Sequence, residues 1–257
     1  MHIREMSGRC VRGDINNQIK HKKERKDMGK YVSDEEAKEL ICEIGRRVFD
    51  KGLVAANDGN ITLRVGEREV WATPTGVSKG YMTPEMLVKM DFDGNVLEGT
   101  WAPSSEVKMH LRVYNENKAV GGTVHAHPPI ATAYAITGEW IDQPVFAEAI
   151  VMLGVVPVAS YATPGTQAVP DSVAPYCKDY NCCLLAAHGA LTWGADLMQA
   201  YYRMEALEHF AKIHMAAVGL QKPAQMLTES QVDELLAIRE RVNNGSKAGQ
   251  VPSNREV

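Results

Sequence analysis

Two histidines one residue apart, in Val124-His125-Ala126-His127, carry the sharpest chemical signal in this chain. On a strand, side chains at i and i+2 fall on one face, so both imidazoles point the same way and can share one ion. The alternative is a pair of solvent-facing or hydrogen-bonded histidines. A third histidine has similar surroundings: Leu184-Leu185-Ala186-Ala187-His188-Gly189 reads as an apolar strand that delivers His188 at its C-terminal end, with Gly189 permitting a tight turn. Three imidazoles at strand ends suit Zn²⁺, which in catalytic sites takes three protein ligands and keeps its fourth position exchangeable. A His-rich set fits Zn²⁺ better than Mg²⁺. The acid candidate is Glu106, in Pro103-Ser104-Ser105-Glu106 at a helix start. A carboxylate there also has the ordinary role of complementing the helix dipole. Hydroxyls and free N–H groups at that start, together with the loops Ala56-Asn57-Asp58-Gly59-Asn60 and Thr73-Pro74-Thr75-Gly76, are the materials of an anion site that cradles phosphate without lysine. His110, His209 and His214 read as packed or exposed helix residues, and His2 and His21 are assigned no role.

These groups need elements to hold them. Ser33 and Glu36 form a capping box, and Ala37, Leu40, Ile41, Ile44 and Val48 recur at helical spacing until Gly52 stops the helix. Ile61 to Val65 and Val70 to Thr73 flank Gly66-Glu67-Arg68 as a hairpin, and Asp93-Gly94-Asn95 turns between two further short strands. Thr83-Pro84-Glu85 opens a short helical turn. Ser104 or Ser105 caps a helix running to about Asn117. Gly121-Gly122 precedes a strand over Thr123 to His127, and a helix over Ile130 to Thr137 follows. Val155 to Ala159 and Cys183 to Ala187 are strand candidates; Asp196 to Val218 is the longest helical run, and Thr228 with Gln231 caps a last helix near 229–242. Hairpins mixed with crossover helices predict a mixed sheet covered by helices on both faces.

With 257 residues, 45% of them apolar and 23% charged, the composition is that of a globular protein and excludes a chain that is disordered or coiled throughout. A net charge of -4 leaves no phosphate-backbone footprint, so nucleic-acid binding is not expected. The longest apolar stretch, Ala149 to Tyr161, is interrupted by Gly154 and Pro157 and falls short of the roughly 20 residues that span a bilayer, so no membrane partner is expected. The first residues lack an apolar core of the secretory type. Five cysteines with no CxxC spacing make a poor disulfide framework, and a reducing cytoplasm is expected. Residues 1–27 carry eight Lys or Arg against four acids with almost no apolar periodicity, which predicts a disordered leader, or a natural start at Met28. Residues 28–242 are expected to form one domain, and 243–257 a disordered polar tail.

Six motifs occur in an order that resembles the class II aldolase/adducin family: Asn57-Asp58-Gly59-Asn60, Thr73-Pro74-Thr75-Gly76, Ser104-Ser105-Glu106, His125-x-His127-Pro128, Tyr161-Ala162-Thr163-Pro164-Gly165-Thr166 and His188-Gly189. The resemblance covers roughly residues 33 to 220. It implies a three-layer αβα fold with a central mixed, largely antiparallel sheet, and a homotetramer with sites near subunit interfaces. It implies one Zn²⁺ per chain on His125, His127 and His188, with Glu106 both approaching the metal and acting as acid/base. Asn57, Gly59, Asn60, Thr75, Gly76, Ser104 and Ser105 would hold the phosphate of a sugar substrate. The implied reaction is the reversible cleavage of a ketose 1-phosphate to dihydroxyacetone phosphate and a short aldehyde. Alternatives on the same scaffold are a pentulose-phosphate 4-epimerase, whose family pattern has Asp in place of Glu106, a sugar-phosphate dehydratase, and a metal-free adducin-like binding domain. Two departures concern the aldehyde end. Phe146 stands where the family's aldolases carry a tyrosine, and no tyrosine follows Tyr202.

Overall fold

An eight-stranded sheet in the order β4-β3-β2-β1-β5-β8-β7-β6 organises the chain, in a computed structural model that describes residues 31–243. Its strands are β1 (Asn60–Arg64), β2 (Glu69–Ala72), β3 (Val88–Asp91), β4 (Val96–Glu98), β5 (Gly122–Ala126), β6 (Val158–Ala159), β7 (Cys182–Leu185) and β8 (Gly189–Gly194). Every neighbouring pair is antiparallel except β6 and β7, so the sheet is mixed and largely antiparallel, as expected. The expectations for residues 1–27 and for the tail from 244 onward lie outside the described residues.

Alternation along the central strands makes two cores. Trp71, Val124, Ala126, Cys182, Leu184 and Ala190 face one side, where α1 (Asp34–Asp50), α3 (Pro129–Thr137) and α6 (Leu197–Gly219) cover them. Val70, Ala72, Cys183, Leu185, Leu191 and Trp193 face the other, under α2 (Val107–Glu116) and α5 (Ala168–Val173). Helix, sheet and helix thus form three layers, because the central strands are buried on both faces, although β1 and β5 turn Asn60, Thr62, Thr123 and His125 rather than apolar residues to the second. The short α4 (Ala147–Met152) and the last helix, α7 (Glu229–Val242), complete the set.

Local chemistry explains why the elements start where they do. The Ser33/Glu36 capping box is present, with the Glu36 N–H donating to Ser33 Oγ at 3.2 Å and the Ser33 N–H donating to Glu36 Oε2 at 3.1 Å. Thr228 and Gln231 form the second capping box at α7, and Asp196 accepts from the Gln199 N–H to start α6. Gly122 is required for packing rather than for a turn: a Cβ there would lie 2.6 Å from the Leu197 nitrogen, so β5 passes directly under the start of α6.

Three expected boundaries differ from those observed. The strand over Val155 to Ala159 shrinks to Val158–Ala159, because Pro157 has no N–H to donate and Val156 instead forms an isolated bridge with Ile141. The strand expected to reach Ala187 ends at Leu185, and the turn follows at Ala187 with φ of 55°. Helix α2 begins at Val107, with Glu106 in the capping position. The Glu106 side chain makes no capping hydrogen bond, while Ser104 Oγ accepts from the Glu106 N–H at 3.3 Å.

Candidate active site

Strand β5 carries His125 on the face turned toward α2, and His127 follows just past the strand's end. His188 arrives from the β7–β8 turn. The nitrogens these three rings offer lie within 4.8 Å of one another, and their centroids are 4.8 to 5.1 Å apart. The tautomers of two rings are set by their other nitrogens. His125 Nδ1–H donates to the Ala190 carbonyl at 2.9 Å, and His127 Nδ1–H donates to Asp58 Oδ2 at 3.2 Å. Both Nε2 atoms are therefore acceptors, yet they face each other at 3.2 Å. Two lone pairs at that separation repel unless a cation lies between them, so this donor set fits a divalent metal, with the outer partners fixing the rings as metal-binding histidines require.

Glu106 closes the fourth side. Its Oε1 is 3.0 Å from His188 Nε2, its Oε2 is 3.5 Å from His125 Nε2, and Asn60 Nδ2 donates to Oε2 at 3.0 Å. Burial pushes the Glu106 pKa up, but the His188 hydrogen bond, the His125 ring and the Asn60 amide more than offset that and hold it below the usual carboxylate range. His125 moves the other way from a histidine's usual value. Burial pushes its imidazole well below it, which keeps the ring neutral and able to ligate.

A pocket of about 220 Å³ opens in front of these groups and is lined by Asn57, Asp58, Gly59, Asn60, Pro74, Thr75, Gly76, Ser104, Ser105, Glu106, His127 and His188. Every residue singled out from the sequence as a site candidate lines it except His125, which is buried behind it. Gly59 has φ of 76°, and a Cβ there would stand 2.8 Å from the His125 carbonyl oxygen, so the loop presses its backbone onto β5. Gly76 has φ of 72° and open space around it.

Two residues that the sequence reading left out of the site belong beside it. Asp58 orients His127, although it sits inside a motif whose other three members were chosen; a carboxylate within such a motif was the available signal. His110 was read as an ordinary helix residue, but it is fully buried and lies beyond Asn60. Asn60 points its amide toward Glu106, so its Oδ1 accepts from His110 Nε2–H, and His110 Nδ1 in turn accepts from the Thr123 hydroxyl. Thr123, Thr62 and Tyr114 continue the buried chain of hydroxyls. Burial pushes the His110 pKa down to about 3, so the ring is neutral.

Phe146 does not line the histidine pocket. It packs edge-on against Phe210, with centroids 4.9 Å apart, in a separate cavity of about 770 Å³ whose wall includes Trp140, Ile213, Met226 and Leu227.

Residues 39–215 match the family described as Class II Aldolase and Adducin N-terminal domain. The chain belongs to that family. It is similar to a 3-oxo-tetronate 4-phosphate decarboxylase of Haemophilus influenzae, 30% identical over 209 residues that make up 79% of this chain and 98% of that protein. It is also similar to an L-fuculose phosphate aldolase of Methanocaldococcus jannaschii, 28% identical over 185 residues, covering 72% of this chain and 99% of that one. A solved structure of L-fuculose 1-phosphate aldolase superposes with a TM-score of 0.74 at 28% identity, covering 80% of this chain and 96% of that chain. The three-layer fold is the family's, and the chain is a class II, metal-dependent lyase whose three-histidine cluster is able to bind the metal.

Proposed function

We propose that this protein is a zinc-dependent aldolase that reversibly cleaves a ketose 1-phosphate, such as L-fuculose 1-phosphate or a related deoxyketose 1-phosphate, to dihydroxyacetone phosphate and a short aldehyde. The observation that carries the reading is the Glu106 carboxylate, ionised and held by Asn60 at the edge of the three-histidine cluster and on the wall of a polar pocket. His125, His127 and His188 would hold the zinc, which when bound would supply a Lewis acid for the substrate carbonyl and the negative charge that develops next to it. The residues do the rest. Ser104, Ser105, Thr75, Gly76 and the Asn57 to Asn60 loop grip the phosphoryl group and fix the substrate's register. In the condensation direction Glu106 takes the proton from the carbon beside the carbonyl; in cleavage it returns one. Asn60 holds the carboxylate in place through both.

A decarboxylase on the same site is the second reading, favoured by the relatives that bear that name. Loss of CO₂ from a 3-oxo acid phosphate leaves the same kind of carbanion and uses the same proton donor. It requires no hydroxyl to handle an aldehyde, and the two tyrosine hydroxyls expected of the family's aldolases are missing here. A screen separates the two. The metal-loaded enzyme is given dihydroxyacetone phosphate with lactaldehyde, acetaldehyde or glycolaldehyde, and separately 3-oxo-tetronate 4-phosphate. Condensation with one aldehyde supports the aldolase; CO₂ release without condensation replaces it with the decarboxylase. A content of about one zinc per chain is expected, and none after metal-replete purification would favour a metal-free binding domain.

The family resemblance further leads us to read the protein as a homotetramer, and its cysteine usage leads us to read it as cytoplasmic. Cys42, Cys177, Cys182 and Cys183 are free and buried, which accords with a reducing compartment; among the described residues no helix is long and apolar enough to cross a membrane. Oligomer mass in solution tests the tetramer.

A further inference from the structure

Among the described residues the histidine pocket has two carboxylates on its wall, Asp58 and Glu106, and no lysine or arginine. Apart from a metal on the histidines, whose charge Glu106 partly offsets, a phosphoryl group entering it meets only the partial positive charge of hydroxyls and backbone N–H groups. A full cation lies directly behind the wall. Lys79, in the short 3₁₀ turn Lys79–Tyr81, is only 1% exposed. Its Nζ donates to the Asn57 carbonyl at 3.1 Å and to the Val77 carbonyl. Those carbonyls belong to two loops that both line the pocket, one ending at Asn60 and the other passing through Thr75 and Gly76.

The burial of this lysine is built in by its neighbours. Gly45 on α1 leaves room for the turn, since a Cβ there would lie 2.6 Å from the Lys79 carbonyl oxygen, and a Cβ on Gly80 would meet the Phe49 ring at 2.7 Å. Lysine is almost never fully buried unless paired. Here its hydrogen bonds go to carbonyls, so no contact ion pair cancels its charge. Burial lowers the ammonium to about 8, with the charges of Asp58 and Glu106 opposing that drop, and it is largely protonated at neutral pH.

We propose that Lys79 is the positioning residue of the phosphate pocket: its ammonium ties the Asn57 loop to the Val77 loop and supplies, through the wall, the fixed positive charge that lets a phosphoryl group bind beside Asp58 and Glu106. This rests on the phosphate-cradle reading above. It makes the site selective for phosphorylated over neutral sugars without a lysine or arginine touching the ligand.

Lys79→Met keeps the length and the apolar stem and removes the charge and both hydrogen bonds. The test titrates inorganic phosphate into the metal-loaded full chain by calorimetry, with zinc content and thermal midpoint measured on the same preparation. Zinc content is expected to stay at the wild-type level while phosphate affinity falls about tenfold or more, the scale of losing hydrogen bonds to a charged group. Lys79→Arg, which keeps the charge, is expected to recover part of the affinity. With the ketose phosphate identified by the screen, KM rises and kcat changes less. Unaltered phosphate affinity in Lys79→Met overturns the proposal and leaves the pocket reading intact. A wild-type protein that shows no saturable phosphate binding removes the pocket reading, and the proposal with it. Where the methionine variant does not fold, Lys79→Gln keeps a donor for the carbonyls without the charge, and wild-type affinity in that variant overturns the proposal equally.

Discussion

The two roles proposed for Glu106 are separated by one substitution. Glu106→Gln keeps the shape and removes the basic carboxylate, so zinc is expected to remain on the three imidazoles while turnover falls about 10²–10⁴-fold, the usual contribution of general acid–base catalysis. If Glu106 were only a carboxylate complementing a helix start, the change would cost about 0.3–1 kcal/mol of stability and leave turnover intact. Single-turnover cleavage and metal content on one preparation decide, and near-normal cleavage would discard Glu106 as the proton carrier. The ligand and pocket residues were legible because their motifs are local: His125 and His127 share a strand period, and Asn57, Gly59 and Asn60 share one loop. What the sequence hid are the partners that reach across it. His127 finds Asp58 from 69 positions away, His110 finds Asn60 from 50, and Lys79 finds Asn57 from 22. Apart from the carboxylate of Asp58 inside its motif, nothing in the composition of these neighbourhoods announces such a pair.

At the scale of elements, Gly189 illustrates a right residue with a different physical reason. The expected tight turn at Gly189 is made by Ala187, with φ of 55°. Gly189 is needed for close approach instead: a Cβ there would stand 2.6 Å from the Ala126 carbonyl oxygen and 2.6 Å from His127 Cδ2. Gly189→Ala is therefore expected to displace the His127 ring and weaken zinc binding about 10–100-fold, the scale seen when the partners of metal-binding histidines are disturbed. Competition with a chromophoric chelator measures this, and an unchanged zinc affinity would show that β5 and β8 part without cost. The capped helices α1 and α7 were readable because a capping box spans only four residues. Strand β8 was not read at all. Its sequence Gly189-Ala190-Leu191-Thr192-Trp193-Gly194 has a glycine at each end and no β-branched run, and it becomes a strand only because β5 and β7 flank it on both sides.

At the scale of the whole molecule, the sheet brings a neutral histidine into the middle of one core, and this couples the site to global stability. His110 has a pKa of about 3 in the folded protein, against about 6.5 when unfolded, because burial penalises its charged form. The folded pKa is depressed, so between those values the unfolded chain binds one more proton than the folded one. The neutral ring's contribution is fully present above pH 6.5 and is lost as pH falls toward 3. Linkage sets the slope at about 1.4 kcal/mol per pH unit from this group alone, and on the order of 4–5 kcal/mol over the whole window. His125, also depressed by burial, and Glu106, held below the usual carboxylate range, add to the acid limb, so the comparison must isolate His110. His110→Gln offers Asn60 an amide donor and cannot be protonated. Urea unfolding of the metal-stripped wild type and variant at several pH values between 4 and 7 is expected to show the wild-type stability falling more steeply, by close to one proton's worth of slope. The variant is expected to start less stable at pH 7, through imperfect replacement of the imidazole, and the two curves to converge as pH falls. Parallel curves would mean that His110 opens to water before it is protonated. The chain from Thr123 through His110 to Asn60 would then be too loose to hold the Glu106 carboxylate.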